Sequence, residues 1–282
     1  MFRKERRSLL FGNRKTSIGA RQSNLNLMEE IEKKEFLYVW IDILGFKNEL
    51  LKEDEGVYNR LFEIKNNFKE HFSEPTLKAI VSISDGLVLV WSIDNDLKEI
   101  FQQLAKLQLN FILENNYVIR GAISVGTISE KLYRQYVSKN SDNEKYEIEK
   151  VENKNNDIFL ISNGLVKAYE MESKEIKWPI IATDLETIER LRSIKRINNE
   201  NEFFGLQKIN GNNKMYLYMI DFLEHLEDKQ MEYENFLLKK LNENQNNRKI
   251  FEKYYWLLEY YKNRMGSNVF EKFREFYDGV LI

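Results

Sequence analysis

An α+β domain, with helices covering a mainly antiparallel sheet, is the architecture this 282-residue sequence predicts. Three observations carry it. EFLYVWIDILGF (residues 35–46) is a nearly unbroken apolar and aromatic run, the pattern of a strand buried on both faces. Asp85-Gly86 separates LKAIVSIS (77–84) from LVLVWS (87–92), and an Asp-Gly pair between apolar runs signals a hairpin. The order strand–helix–hairpin–helix–strand, then helix–strand–helix–hairpin, fits helices packed on a largely antiparallel sheet.

In chain order, LMEEIEKK (27–34) reads as a short helix before the first strand, which Gly45 ends. Residues 46–73 read as helical with a break near Gly56. After the hairpin, Asn95 is placed to cap a helix running to about Asn115, whose apolar positions Ile100, Leu104, Leu107 and Phe111 recur at helical spacing. YVIRGAISVG (117–126) reads as a strand. Residues 139–156 are strongly polar and read as a surface insertion, with a short strand at 146–148. IFLISNG (158–164) leads into a helix. PIIATD (179–184) reads as a short strand whose Asp184 caps the next helix. FFGLQKI (203–209) and MYLYMIDFL (215–223) form a second hairpin. From about residue 228 onward the pattern is helical. The expected division is a basic flexible arm over 1–25, a catalytic domain over 26–225 and a helical appendage over 226–282.

Composition narrows the chemistry. The chain has no cysteine and only two histidines, His71 and His225. This excludes a disulfide framework, a thiolate metal site, a cysteine nucleophile and a polyhistidine centre. Any metal must rest on carboxylate and carbonyl oxygens, which favours hard ions such as Mg²⁺ or Mn²⁺. No apolar run approaches the roughly 20 residues that span a bilayer, and no apolar leader opens the sequence, so a cytoplasmic location is expected. The formal net charge of −2 hides an asymmetry: Arg3, Lys4, Arg6, Arg7, Arg14, Lys15 and Arg21 face only Glu5 in the first 22 residues. Such an arm is either a solvated tail or a contact for nucleic acid or anionic lipid.

Three side chains stand out. Asp42 lies within WIDILGF, where a carboxylate needs a pairing, a hydrogen bond or a metal to offset its desolvation. Asp85 lies at a hairpin tip, an ordinary place for Asp. Two strand-end carboxylates brought together can nonetheless form one metal site. Arg120 lies inside an apolar strand and is either turned to solvent or paired with a carboxylate or phosphate. Ile43-Leu44-Gly45-Phe46 joins strand to helix, and free N–H groups at such a turn can cradle phosphate oxygens.

Taken in order, these segments resemble the class III nucleotidyl cyclase catalytic domain. Asp42-Ile43-Leu44-Gly45-Phe46 matches that family's Asp-Ile-x-Gly-Phe, and Asp85 fits its second metal Asp. Arg120-Gly121-Ala122-Ile123-Ser124-Val125-Gly126 differs from its Arg-x-Gly-Ile-x-x-Gly by Ala for Gly. Gly164 through Met171-Glu172-Ser173 fits its Gly-led helix. The resemblance covers roughly residues 35–185. The departures are the Lys that purine cyclases place before the second Asp, the Asp they place before the Gly-led helix, and the Asn and Arg they carry on that helix. This variant resembles the pyrimidine cyclases of bacterial anti-phage (Pycsar) signalling. The residues that carry it are Ser84-Asp85, Arg120–Ile123, Ala168-Tyr169-Glu170-Met171-Glu172, and Lys253-Tyr254-Tyr255-Trp256-Leu257 before Tyr260.

The resemblance implies a ferredoxin-like, palm-type sheet and a homodimer with two sites between antiparallel protomers. It implies conversion of UTP or CTP to cyclic UMP or cyclic CMP and pyrophosphate, as a second messenger read by a separate cyclic-nucleotide-sensing effector. Two Mn²⁺ or Mg²⁺ ions would be held by Asp42, Asp85 and the Ile43 carbonyl. The backbone of Leu44, Gly45 and Phe46 would bind phosphates, and Arg120 would stabilise charge. Ser82, Ser84 or Ser162 can serve either pyrimidine, since a hydroxyl both donates and accepts. Two other readings stay open: a catalytically inactive cyclase-like nucleotide-binding module, and a nucleic-acid-binding or scaffold protein. The interleaved Glu residues and overall acidity weigh against nucleic acid.

Overall fold

The computed structural model describes residues 33–46, 55–72, 77–83, 86–129, 162–194, 206–211, 216–266, 273, 274 and 276. The basic arm, the 139–156 insertion with its short strand, Ser84, Asp85 and most of the last expected helix lie outside the described residues. Seven strands form one mixed sheet in the order β2-β3-β1-β4-β5-β7-β6. They are β1 (Lys33–Ile43), β2 (Leu77–Ile83), β3 (Gly86–Ser92), β4 (Ile119–Ser129), β5 (Ile181–Asp184), β6 (Leu206–Asn210) and β7 (Tyr216–Ile220). Among the described strands only the β4–β5 pair is parallel; the chain between those two strands includes a helix, as crossover connections of parallel neighbours usually do. The helices are α1 (Glu55–His71), α2 (Leu97–Asn115), α3 (Asn163–Lys174), α4 (Leu185–Ser193), α5 (Gln230–Glu243) and α6 (Arg248–Met265). Among the described residues no helix is long and apolar enough to cross a membrane.

β1 is central and is covered on both faces, which accounts for its unbroken apolar run. Leu37, Val39, Ile41 and Ile43 point into the main core, where they join Ile100, Leu104, Leu107 and Phe111 of α2. Those four α2 positions are the ones the helical spacing singled out. Phe36 and Tyr38 point the other way, into a smaller cluster with Val88, Val90, Ile128 and Leu165 of α3. The main core continues into Leu237 and Leu241 of α5 and Leu257, Leu258 and Tyr261 of α6, so the C-terminal helices share apolar packing with the sheet.

Several boundaries differ from the expectation, each for a local reason. β1 starts at Lys33, inside the expected first helix, because Lys33 and Lys34 pair with Ser129 and Ile128. The same ladder carries β4 three residues past its expected end. β1 stops at Ile43, since Leu44 and Gly45 turn and Gly45 takes φ +90°, a conformation open to glycine. Gly56 lies in the first turn of α1 and does not break it. Asp96, not Asn95, caps α2: its side chain accepts the Lys98 N–H at 2.9 Å, while the Asn95 N–H closes the preceding turn on Ser92 O at 3.2 Å. Asp184 caps α4 as expected, accepting from Thr187 N at 2.8 Å.

One buried polar group locks α6 to the sheet. Asp221, at the end of β7, is 2% exposed. It accepts from the Leu223 N–H at 3.1 Å and from the Tyr260 hydroxyl, and it pairs with Arg264 Nε at 3.2 Å. Burial holds the Tyr260 hydroxyl far above its usual pKa, and the neighbouring Asp221 charge adds to this. The network satisfies a carboxylate that would otherwise be costly in the core. Asp221→Ala is expected to lower the unfolding free energy by about 1.5–3 kcal/mol, the range for hydrogen bonds to a charged group, measured by urea denaturation.

Candidate active site

The site is assembled at the end of β1 that leads into the Gly45 turn. Asp42 on β1 is the direct cross-strand neighbour of Arg120 on β4. Side chains two apart share a sheet face, so Asp42 follows Tyr38 and Trp40 on the face that α3 covers. Helix α3 is held against this face by close backbone approach. A Cβ added at Gly126 would run into the backbone of Gly164, and one added at Gly164 would meet Gly126 Cα at 2.7 Å. Ser162 caps α3 by accepting from Gly164 N at 3.1 Å, Asn163 Oδ1 accepts from Thr127 N at 3.1 Å, and the Ser124 hydroxyl donates to Gly164 O. Glu172 is eight residues further along, about 12 Å at 1.5 Å per residue.

That distance brings Glu172 onto Arg120. The Arg120 guanidinium pairs with Glu172, reaches Asp42 Oδ2 at 3.4 Å, and donates to Ile176 O at 3.0 Å. Its Nε is buried and has no hydrogen-bond partner among the described residues. The two acids differ in environment: Glu172 is almost fully buried, whereas the Asp42 side chain is 25% exposed. Of the two expectations for Arg120, pairing with a carboxylate is the one seen. Sequence reading assigned Glu172 no role; its signal was an acid in the apolar stripe of a helix, opposite an arginine in an apolar strand.

Desolvation pushes the Glu172 carboxyl up to about 7; Arg120 opposes this and the Asp42 charge reinforces it. A fourth charged group comes from α6. Lys253 is half-buried, and its charge is felt by Arg120, Asp42 and Glu172. Burial lowers its pKa, Arg120 lowers it further, and the two acids oppose the shift.

The remaining expected site residues are placed as follows. Ile43 pairs with Ile119 across β1 and β4. The Leu44 N–H donates to Val118 O at 2.9 Å, so it is already engaged and does not offer the free phosphate donor expected of it. Gly45 is exposed and Phe46 is buried, its ring edge-on to Tyr117 at 5.6 Å. Asp85 lies outside the described residues, but Gly86, the next residue in the chain, is the cross-strand neighbour of Asp42. Of the three serines considered for base contacts, Ser82 is exposed, Ser162 is used as the α3 cap, and Ser84 lies outside the described residues.

Among the described residues no group of three or more acids or histidines gathers as a metal site. Asp42 nonetheless suits a hard cation: it is an oxygen donor, accessible from solvent, and its contact with Arg120 is long, at 3.4 Å. Among the described residues nothing in this arrangement supplies a nucleophilic relay. It offers an accessible carboxylate, a glycine turn, and a guanidinium held in place by a buried acid.

The Glu172 shift has a sign that can be measured. Its folded pKa lies above the ordinary 4.5, so between pH 4.5 and about 7 the folded state holds a proton that the unfolded chain has released. Stability conferred by that proton is full below pH 4.5 and is lost as pH rises through 7. Glu172→Gln removes this dependence. The unfolding free energy of the variant relative to wild type is therefore expected to increase with pH across this window, by at most about 1.4 kcal/mol per pH unit, followed by denaturation at a series of pH values.

No family model matches the chain, and no curated protein matches it. Solved structures similar to it include the adenylyl cyclase CyaB from P. aeruginosa, at 11% identity and TM-score 0.40, covering 67% of this chain and 94% of that one. A bacterial light-regulated adenylyl cyclase is 8% identical with TM-score 0.43, covering 73% of this chain and 99% of that one. The guanylate cyclase domain of RhGC from Catenaria anguillulae, solved in complex with GTP, is 10% identical with TM-score 0.39, covering 67% of this chain and 96% of that one.

Proposed function

We propose that this chain is a nucleotidyl cyclase that converts a pyrimidine nucleoside triphosphate, UTP or CTP, into its 3′,5′-cyclic monophosphate and pyrophosphate. The observation that carries the reading is the juxtaposition at the end of β1. Asp42 is flanked on one side by Arg120 and on the other by Gly86, the residue after Asp85. Two sequence motifs far apart in the chain thus meet at one sheet end beside the Gly45 turn. The resemblance of those motifs to the class III cyclases supplies the reaction class.

In this reading the ribose 3′-hydroxyl gives up its proton to solvent as its oxygen attacks the α-phosphorus, a new P–O bond forms, and the bond to the pyrophosphate oxygen breaks. Asp42, Asp85 and the Ile43 carbonyl would hold two Mg²⁺ or Mn²⁺ ions, which when bound supply Lewis acidity toward the 3′-hydroxyl and the phosphates. The N–H groups of Gly45 and Phe46 face the phosphate tail, and Leu44 shapes the turn that presents them. Arg120 stabilises the charge that develops as pyrophosphate departs, and a fixed guanidinium does so without reorganisation during the reaction. Glu172 orients Arg120 and balances part of its charge. The absence of the purine-type Lys and Asp favours a pyrimidine, and Ser82 remains exposed for base contacts. A homodimer, a cytoplasmic setting, and a role in anti-phage signalling through a separate cyclic-nucleotide-sensing effector complete the proposal.

The second reading, a nucleotide-binding module without turnover, is favoured by one observation. Leu165–Glu172 carries no Asn and Arg pair of the kind cyclases use on that helix. Incubation of the purified protein with Mn²⁺ and each of the four nucleoside triphosphates separates the two. Cyclic UMP or cyclic CMP is expected by mass spectrometry, and Asp42→Ala and Asp85→Ala are each expected to lose more than about a hundredfold in rate with unchanged circular dichroism. Turnover by either variant at the wild-type rate removes the metal assignment.

A further inference from the structure

Helix α6 is docked against the site by contacts on both sides of Lys253. Glu252, one residue before it, pairs with Lys177 at 3.4 Å. Trp256, three residues after it, stacks on Trp178 with ring centroids 5.7 Å apart and planes 11° apart. Lys177 and Trp178 directly follow Ile176, whose carbonyl accepts from Arg120. Residues 252–256 are thereby fastened to the helix–strand connection between α3 and β5 that also anchors the site arginine. Lys253 lies on this fastened stretch, near enough for Arg120, Asp42 and Glu172 to act on its charge.

Two cations, Arg120 and Lys253, and two acids, Asp42 and Glu172, meet there, and both acids contact Arg120. Arg120 has two carboxylates and a carbonyl to satisfy it. Lys253 makes no ion pair and no hydrogen bond with any described residue, although it is half-buried. A desolvated ammonium beside a guanidinium is costly unless an anion is nearby. If Asp42 gives its charge to a cation and Glu172 remains committed to Arg120, Lys253 is left as an uncompensated positive charge facing the site.

We infer that Lys253 is a phosphate-binding residue of this site, supplied by the C-terminal helix of the same chain and acting beside Arg120 on the pyrophosphate portion of the ligand. The inference deepens the cyclase reading and rests on it for the identity of the ligand. It makes α6 part of the site.

Titration of the full-length protein with pyrophosphate and Mg²⁺ in a calorimeter tests it, because binding is read without turnover. Lys253→Met is expected to weaken binding by about tenfold or more, the loss of one charge-assisted contact. Lys253→Arg, which keeps the charge, is expected to stay within about threefold of wild type. Lys249→Met, an exposed position one turn earlier on α6, is expected to bind normally. On the unaltered protein, bound pyrophosphate is expected to slow reductive methylation of Lys253 and not of Lys177, which keeps the test valid if a variant misfolds. Absence of pyrophosphate binding by wild type, equal binding by Lys253→Met, or an unprotected Lys253 overturns the inference. Pyrophosphate binding that depends on Lys253, in a protein that cyclises none of the four triphosphates, leaves the inference standing and removes the cyclase reading instead.

Discussion

The sharing of one guanidinium between two carboxylates is the interaction on which the site depends. Arg120 lies in an apolar strand, where its charge would be prohibitive alone. Asp42 and Glu172 make it tolerable, and in return it fixes both of them. The partition is unequal. Glu172 is buried, and its charge is favoured chiefly by Arg120; Asp42 is partly open to solvent and holds Arg120 by a longer contact. Such an arrangement leaves the accessible acid able to take another cation while the buried acid keeps the arginine in place.

Backbone packing makes this geometry reproducible. The Gly126–Gly164 approach allows α3 to sit closer to the sheet than any side chain would permit. Ser162, Asn163 and Ser124 then tie the start of the helix to β4. With one end fixed, helical rise determines where Glu172 falls, and the register of β1 with β4 determines where Asp42 and Arg120 fall. The site is therefore built on regular elements, with the Gly45 turn at its edge.

The C-terminal helices give the site a further wall. Their apolar faces merge with the main core, and the Asp221–Tyr260–Arg264 network joins α6 to the end of β7. The Trp178–Trp256 stack and the Lys177–Glu252 pair join it to the connection after α3. A charged residue on α6 can thus stand beside groups on β1, β4 and α3.

Much of the architecture was legible in the order of residues, because it depends on local rules. The buried strand around Val39, the antiparallel pairing of the two apolar runs that flank Asp85, the α2 stripe of Ile100, Leu104, Leu107 and Phe111, and the Asp184 cap all follow from periodicity and short-range hydrogen bonding. The boundary errors at Lys33 and Asn95 arose where ladder pairing or a competing turn decided the outcome. Sequence also marked Asp42 and Arg120 as charges out of place. It did not reveal that they are neighbours, that Glu172 completes the pair, that the Leu44 N–H is already used, or that the charge of Lys253 is felt in the same group. Those facts depend on strand register, on the depth to which a glycine pair lets one helix settle, and on where a distant helix docks. They are long-range packing results, in which desolvation and shape select among arrangements that local propensity leaves equal.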